Sequence, residues 1–125
     1  MQVVFSVAEL ARSLDFYDRA FAWPRNEQID YTNYVELLPP GGGALGLYER
    51  DGYAELVGAA PAEIPEGRVS AAYLYVRVDD VEAAVRQLEA AGGRSLGELA
   101  ARPWGETAAW FADPDGNVVA VAQRS

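Results

Sequence analysis

The sequence predicts an α+β fold made of two βαβββ modules in tandem, with curved mixed sheets around a cleft and the helices outside. Three observations carry this. Alternating apolar positions pass into helical spacing twice, first from residue 2 onward and again from residue 72 onward. The two passages align as degenerate copies, Val7-Ala8-Glu9-Leu10-Ala11-Arg12-Ser13-Leu14 over Val78-Asp79-Asp80-Val81-Glu82-Ala83-Ala84-Val85. Finally, Trp110 to Val121 is an apolar run, a tight Asp113-Pro114-Asp115-Gly116 turn and a second apolar run. Pro presets φ, Asp bonds nearby backbone N–H groups and Gly supplies φ > 0, so the stretch reads as a hairpin with a fixed register.

Taken in order, residues 2–8 alternate with Val3, Phe5 and Val7 on one side, which predicts a strand. Leu10, Leu14, Phe16, Tyr17, Ala20 and Phe21 then recur at helical spacing, with Glu9 at the start and Pro24 as the stop. Short strands are expected around 27–31 and 33–38, a Pro39-Pro40-Gly41-Gly42-Gly43 turn next, and a strand over 44–48. Residues 50–68, rich in Gly, Pro and Glu and poor in periodic apolar positions, read as a linker. In the second copy, Leu74, Val76 and Val78 alternate with Tyr73, Tyr75 and Arg77, and Asp79-Asp80 introduce a helix that ends at Gly92-Gly93. Strands around 94–100, 107–112 and 117–123 complete it. The organisation expected is therefore a first module over 1–49, a linker over 50–68 and a second module over 69–125, forming one structural domain overall.

The composition excludes several function classes. A net charge of −9 with ten scattered Lys+Arg argues against a nucleic-acid partner and slightly favours a cationic ligand. With no cysteine there are no disulfides, thiolate nucleophiles or Cys-based metal sites, and no apolar run approaches a membrane span. The N-terminus lacks a basic leader, so a cytoplasmic location is expected.

Alternation divides the sheets into two faces. Val3, Phe5, Val7, Leu45, Leu47, Leu74, Val76, Val78, Val119 and Val121 point to the helices; Gln2, Val4, Ser6, Tyr34, Glu36, Leu38, Gly46, Tyr48, Tyr73, Tyr75, Arg77, Trp110, Val118 and Ala120 point away. Aromatics mixed with a few polar groups suit a small-molecule cleft.

The paired modules, the two strand-to-helix passages and the Asp113-Pro114-Asp115-Gly116-Asn117-Val118-Val119 hairpin resemble the glyoxalase, bleomycin-resistance and extradiol-dioxygenase (vicinal oxygen chelate) superfamily over essentially the whole chain. The resemblance implies metal ligands, in metal-dependent members, at positions matching Gln2, Gly46, Tyr73 and Ala120. Gly46 and Ala120 have no donor atom, a neutral phenol is a poor ligand, and the chain contains no histidine. The resemblance therefore implies a metal-less member without a cofactor, and disfavours a metal-dependent glyoxalase, an extradiol dioxygenase or a fosfomycin-resistance type of transferase. It also implies a homodimer, since members commonly complete their clefts by pairing modules between chains.

The candidate ligand-binding residues are Tyr34, Glu36, Tyr48, Tyr73, Tyr75, Arg77, Trp104 and Trp110. The tyrosines and tryptophans either stack on a flat ligand or pack on the sheet, and Trp104 is either a ligand flank or a loop anchor. Glu36 and Arg77 are expected as a charge pair, orienting a substrate or purely structural. Asp113 and Asp115 read as turn formers rather than paired catalytic carboxylates. The leading expectation is a non-catalytic binder of an aromatic or cationic natural product, as the antibiotic-sequestering members are. The alternative is a metal-independent enzyme of lyase or isomerase type with Glu36 or a cleft tyrosine as acid or base. A third possibility is a regulatory domain whose cleft is filled.

Overall fold

The computed structural model describes all of residues 1–125. The order is β1 (Gln2–Val7), α1 (Leu10–Ala20), β2 (Tyr34–Leu37), β3 (Ala44–Glu49), α2 (Arg50–Val57), β4 (Tyr73–Arg77), α3 (Val81–Ala90), β5 (Arg94–Ser95), β6 (Ala100–Ala101), β7 (Glu106–Ala112) and β8 (Val118–Arg124). The strands form two mixed sheets, ordered β1-β3-β2 and β4-β8-β7-β5, with β6 also on β7. In both, the first strand of the module runs parallel to the last (Val3 beside Leu45, Leu74 beside Val119), and antiparallel pairing completes the sheet. The fold class is as the periodicity implies, and neither sheet closes into a barrel.

The helix-facing positions join the core, although Glu36, Val118 and Ala120 on the other face are buried as well. Phe5, Val7, Leu45, Leu47, Val119 and Val121 are buried, and they join Phe16 and Tyr17 of α1, Val81 and Leu88 of α3, and Phe111 in one core drawn from both modules. The Asp80 carboxylate caps α3 by accepting from the Ala83 N–H at 3.0 Å, as the sequence suggests.

Three elements differ from expectation. No strand forms over 27–31, because Asn26 nucleates a turn there: its Oδ1 accepts from the Gln28 N–H at 3.1 Å and its carbonyl from the Ile29 N–H at 3.2 Å. The strip lying along β2 comes earlier instead, with Arg25 bridging Leu37 and the Leu38 N–H donating to Pro24 O at 2.8 Å. The first module is thus βαββ plus this edge strip. The expected linker opens with a helix, α2, whose Gly52 suggested a loop. That position is buried and takes glycine because a Cβ there would collide with the Tyr48 ring and come within 2.5 Å of Asn33 Nδ2. The strand over 94–100 is interrupted. Ser95 pairs with Phe111 and Ala100 with Ala108, so four edge residues face only Ala109 and Trp110. The excess makes a bulge beside Trp110.

Candidate functional site

Each sheet carries a cavity on the face turned away from α1 and α3. The first, of about 600 Å³, is lined by Val4, Tyr34, Tyr48 and Asn33 from the sheet side and by Tyr53 and Leu56 of α2. Tyr34 and Tyr48 are register partners on β2 and β3, their rings meet edge to face at 5.1 Å, and Gln2 Nε2 donates to Tyr34 Oη at 2.6 Å. Burial, followed by the nearby Glu36 carboxylate, raises the Tyr34 phenol above its ordinary value. The helix missing from the sequence reading supplies one wall of this cavity.

The second cavity, of about 580 Å³, is lined by Tyr73, Trp110, Val69, Leu96, Arg102 and Val118, among others, and the bulge opens it. Tyr75, Ala120 and Trp110 stand side by side in the register, and the two rings, with centroids 6.2 Å apart, lean over the fully buried Ala120. Trp104 meets Trp110 edge to face at 6.2 Å, and its Nε1 donates to Tyr75 Oη at 2.9 Å. Tyr75 Oη in turn donates to Glu106 Oε1 at 2.8 Å, while Arg77 Nε donates to Glu106 Oε2 at 2.7 Å. Hydrogen bonds from Arg77 and Tyr75 hold the Glu106 carboxyl below its usual range, and desolvation pushes the Tyr75 phenol up. At neutral pH the carboxylate is charged and engaged and the phenol keeps its proton, which suits positioning more than proton transfer.

The expected pair of Glu36 and Arg77 does not form, since the two lie on different sheets. Arg77 is paired with Glu106, and the buried Glu36 accepts from Asn26 Nδ2 at 2.7 Å and lines neither cavity. Glu106 was legible in principle, being two residues before Ala108 and four before Trp110 on the same face of β7. Arg102 was not, because its place depends on the bulge.

The hairpin carboxylates are turn formers with a further role. Asp113 Oδ1 accepts from the Asp115 and Asn117 N–H groups at 2.9 Å each, and its Oδ2 accepts from Tyr17 Oη at 2.7 Å. Asp115 accepts from the Ala8 N–H at 2.9 Å, from Arg12 at 3.0 Å and from Ser13 Oγ at 3.0 Å. The second module's hairpin is thereby tied to the first module's helix. Burial is the main cause that raises the Asp113 carboxyl from 3.8 to about 6.

No group of three or more His, Cys, Asp and Glu side chains is placed to hold a metal ion, and no helix is long and apolar enough to cross a membrane.

Residues 2–121 match the family model described as Glyoxalase/Bleomycin resistance protein/Dioxygenase superfamily. No curated protein matches the sequence. Among solved structures, the chain is similar to a glyoxalase-related enzyme from Fulvimarina pelagi, with TM-score 0.83 and 25% identity over 99% of this chain and 87% of that one. It is also similar to a glyoxalase/bleomycin resistance protein/dioxygenase family enzyme from Burkholderia phytofirmans, with TM-score 0.82 and 19% identity over 99% and 97% of the two chains. A glyoxalase/bleomycin resistance protein/dioxygenase from Nocardioides follows, with TM-score 0.76 and 23% identity over 99% and 82%. At such identities the last two speak to the fold alone.

Proposed function

Because the chain belongs to the Glyoxalase/Bleomycin resistance protein/Dioxygenase superfamily, we propose that it is a metal-independent small-molecule-binding protein, holding an aromatic compound against its aromatic sheet faces in the sequestering manner of the bleomycin-resistance type. The observation that carries this reading is what covers the positions matching the family's metal ligands. At Gly46 a Cβ would lie 2.5 Å from Tyr34 Oη, so a phenol fills the space a ligating side chain would need. Ala120 offers no donor atom and is fully buried between its register neighbours Tyr75 and Trp110. Gln2 is engaged by Tyr34, and Tyr73 offers only a phenol. This donor set does not fit a catalytic divalent metal, which needs three or four good ligands.

The same faces supply what a binder requires, namely exposed aromatic surface with a few convergent polar groups. Val4, Tyr31, Leu56 and Val57 are exposed at the first cavity and Val69, Tyr73 and Leu96 at the second, while Trp104 stands over Trp110. Apolar side chains left open at the rims of both cavities support a twofold homodimer in which a second copy helps close them.

Tryptophan fluorescence titration against a panel of planar natural products, combined with elemental analysis, tests the proposal. Saturable quenching with no stoichiometric zinc, iron, nickel or manganese after dialysis is expected, together with a dimeric mass in light scattering. Turnover of a bound compound that Tyr34→Phe abolishes while binding survives would instead establish the enzyme reading, with a cleft tyrosine as acid or base, since Glu36 lines neither cavity.

A further inference from the structure

We infer that the cavity of the second module takes a planar aromatic anion, a ring system bearing a carboxylate or similar oxyanion, with Arg102 as its counter-ion. This narrows the binding reading above and rests on it. Arg102 follows β6 and is only partly exposed, its Cζ 5.0 Å from the centroid of the Trp110 ring. Two of its nitrogens are committed to the backbone. Nε and Nη2 donate to Ala108 O at 3.3 and 3.0 Å, and Nη2 also to Glu98 O at 2.8 Å. These bonds set the plane of the guanidinium against the indole, while Nη1 makes no hydrogen bond. No carboxylate lies within ion-pair distance of Arg102; Arg68, Arg86, Arg94 and Arg124 are likewise without one, but only Arg102 lines this cavity.

The cavity lining therefore includes a positioned cation with one nitrogen, Nη1, to spare, among mostly apolar side chains. Tyr73, 53% exposed, presents its ring as one wall, and Val69, Leu96 and Val118 add aliphatic surface. Glu98, the other charged residue of the lining, gives Arg102 its backbone carbonyl, not its carboxylate. Nearby, Arg77 and Glu106 neutralise each other at 2.7 Å. An oxyanion beside the Trp110 ring can accept from the N–H groups of the free Nη1, a charge-assisted hydrogen bond. The cavity of the first module contrasts with this, having no charged residue in its lining.

This reverses the cationic preference suggested by the net charge of −9. Charges beyond about 8 Å are largely screened at physiological ionic strength, so a contact with Arg102 outweighs the distant carboxylates in affinity. The overall charge acts on association rate instead, and raising the salt should speed the approach of an anion.

The test is calorimetric titration of the full-length protein with three probes of one shape: 2-naphthoate, 2-naphthamide and 2-naphthylmethylammonium. The anion should bind about tenfold more tightly than the amide, the scale of one charge-assisted hydrogen bond, and the ammonium most weakly. Arg102→Gln should bring the anion down to the level of the amide in the same variant. Arg102→Lys keeps the charge, should retain part of the preference, and decides the matter if the Gln variant is misfolded by circular dichroism. Binding of all three without preference for the anion, or a preference that survives in a folded Arg102→Gln, overturns this inference and leaves the aromatic-binder reading intact. If none of the three binds, that reading falls too.

Discussion

Replacing Asp113 by Asn should stabilise this protein at neutral and alkaline pH and do nothing near pH 4. The carboxylate accepts three hydrogen bonds, yet desolvation outweighs them and raises its pKa from 3.8 to about 6. In the unfolded chain the group reverts to about 3.9. A folded-state value above the unfolded one means that the folded protein binds the proton more tightly. The stabilisation is full below about pH 4 and is lost as pH rises through about 6. Two units at 1.36 kcal/mol each put the loss at about 3 kcal/mol by pH 8, an upper figure because local relaxation reduces it. Asn keeps an Oδ1 for the two backbone donors that Asp113 Oδ1 serves, at 2.9 Å each, and offers Nδ2 to Tyr17 Oη, which can accept. It carries no charge to desolvate. Urea unfolding of the wild type and Asp113→Asn at half-unit steps from pH 4 to 8 reads the difference directly, and comparison at each pH cancels the other carboxylates. The variant's advantage should grow from near zero to as much as about 3 kcal/mol. A flat difference across that range, or a variant less stable at pH 8, would refute the reasoning.

Tyr17→Phe removes one donor from the buried Asp113, so stability at pH 7 should fall by about 1–3 kcal/mol, and the carboxyl should titrate above about 6 in a carbon-detected NMR series. Gly46→Ala forces Tyr34 aside and breaks its 2.6 Å bond from Gln2, at a cost of about 1 kcal/mol by urea unfolding, with shifts of the Tyr34 ring resonances. Trp104→Ala removes both a ring and the donor to Tyr75; by analogy with aromatic stacking in nucleic-acid binders, ligand affinity should fall by about 1–3 kcal/mol in the fluorescence titration, with little change in unfolding because Trp104 is 55% exposed.

Much of the architecture is written locally, in patterns that depend on a few neighbouring residues. Alternation in Val3, Phe5 and Val7, the helical spacing after Glu9 and Asp80, and the Asp-Pro-Asp-Gly turn each specify geometry over one element, and two such sets in succession are enough to imply paired modules. The aromatic faces follow from the same alternation, which sets Tyr34, Tyr48, Tyr73, Tyr75 and Trp110 opposite α1 and α3, while α2 covers Tyr34 and Tyr48 from the other side. Local signals also mislead when a distant neighbour overrides them. Gly52 reads as a loop residue until the Tyr48 ring and Asn33 pack against it, and residues 94–100 read as one strand until the register to β7 requires a bulge. Pairings between distant residues lie beyond what periodicity can reach. Glu36 and Arg77 share a face type but sit on separate sheets, and only the alignment of β4 with β8 and β7 gives Arg77 to Glu106. Tyr17 and Asp113, 96 residues apart, meet because the helix of one module lies under the hairpin of the other. A side chain's face is set by the residues beside it in the chain, whereas its partner is set by how whole elements stack, and that only the folded arrangement decided.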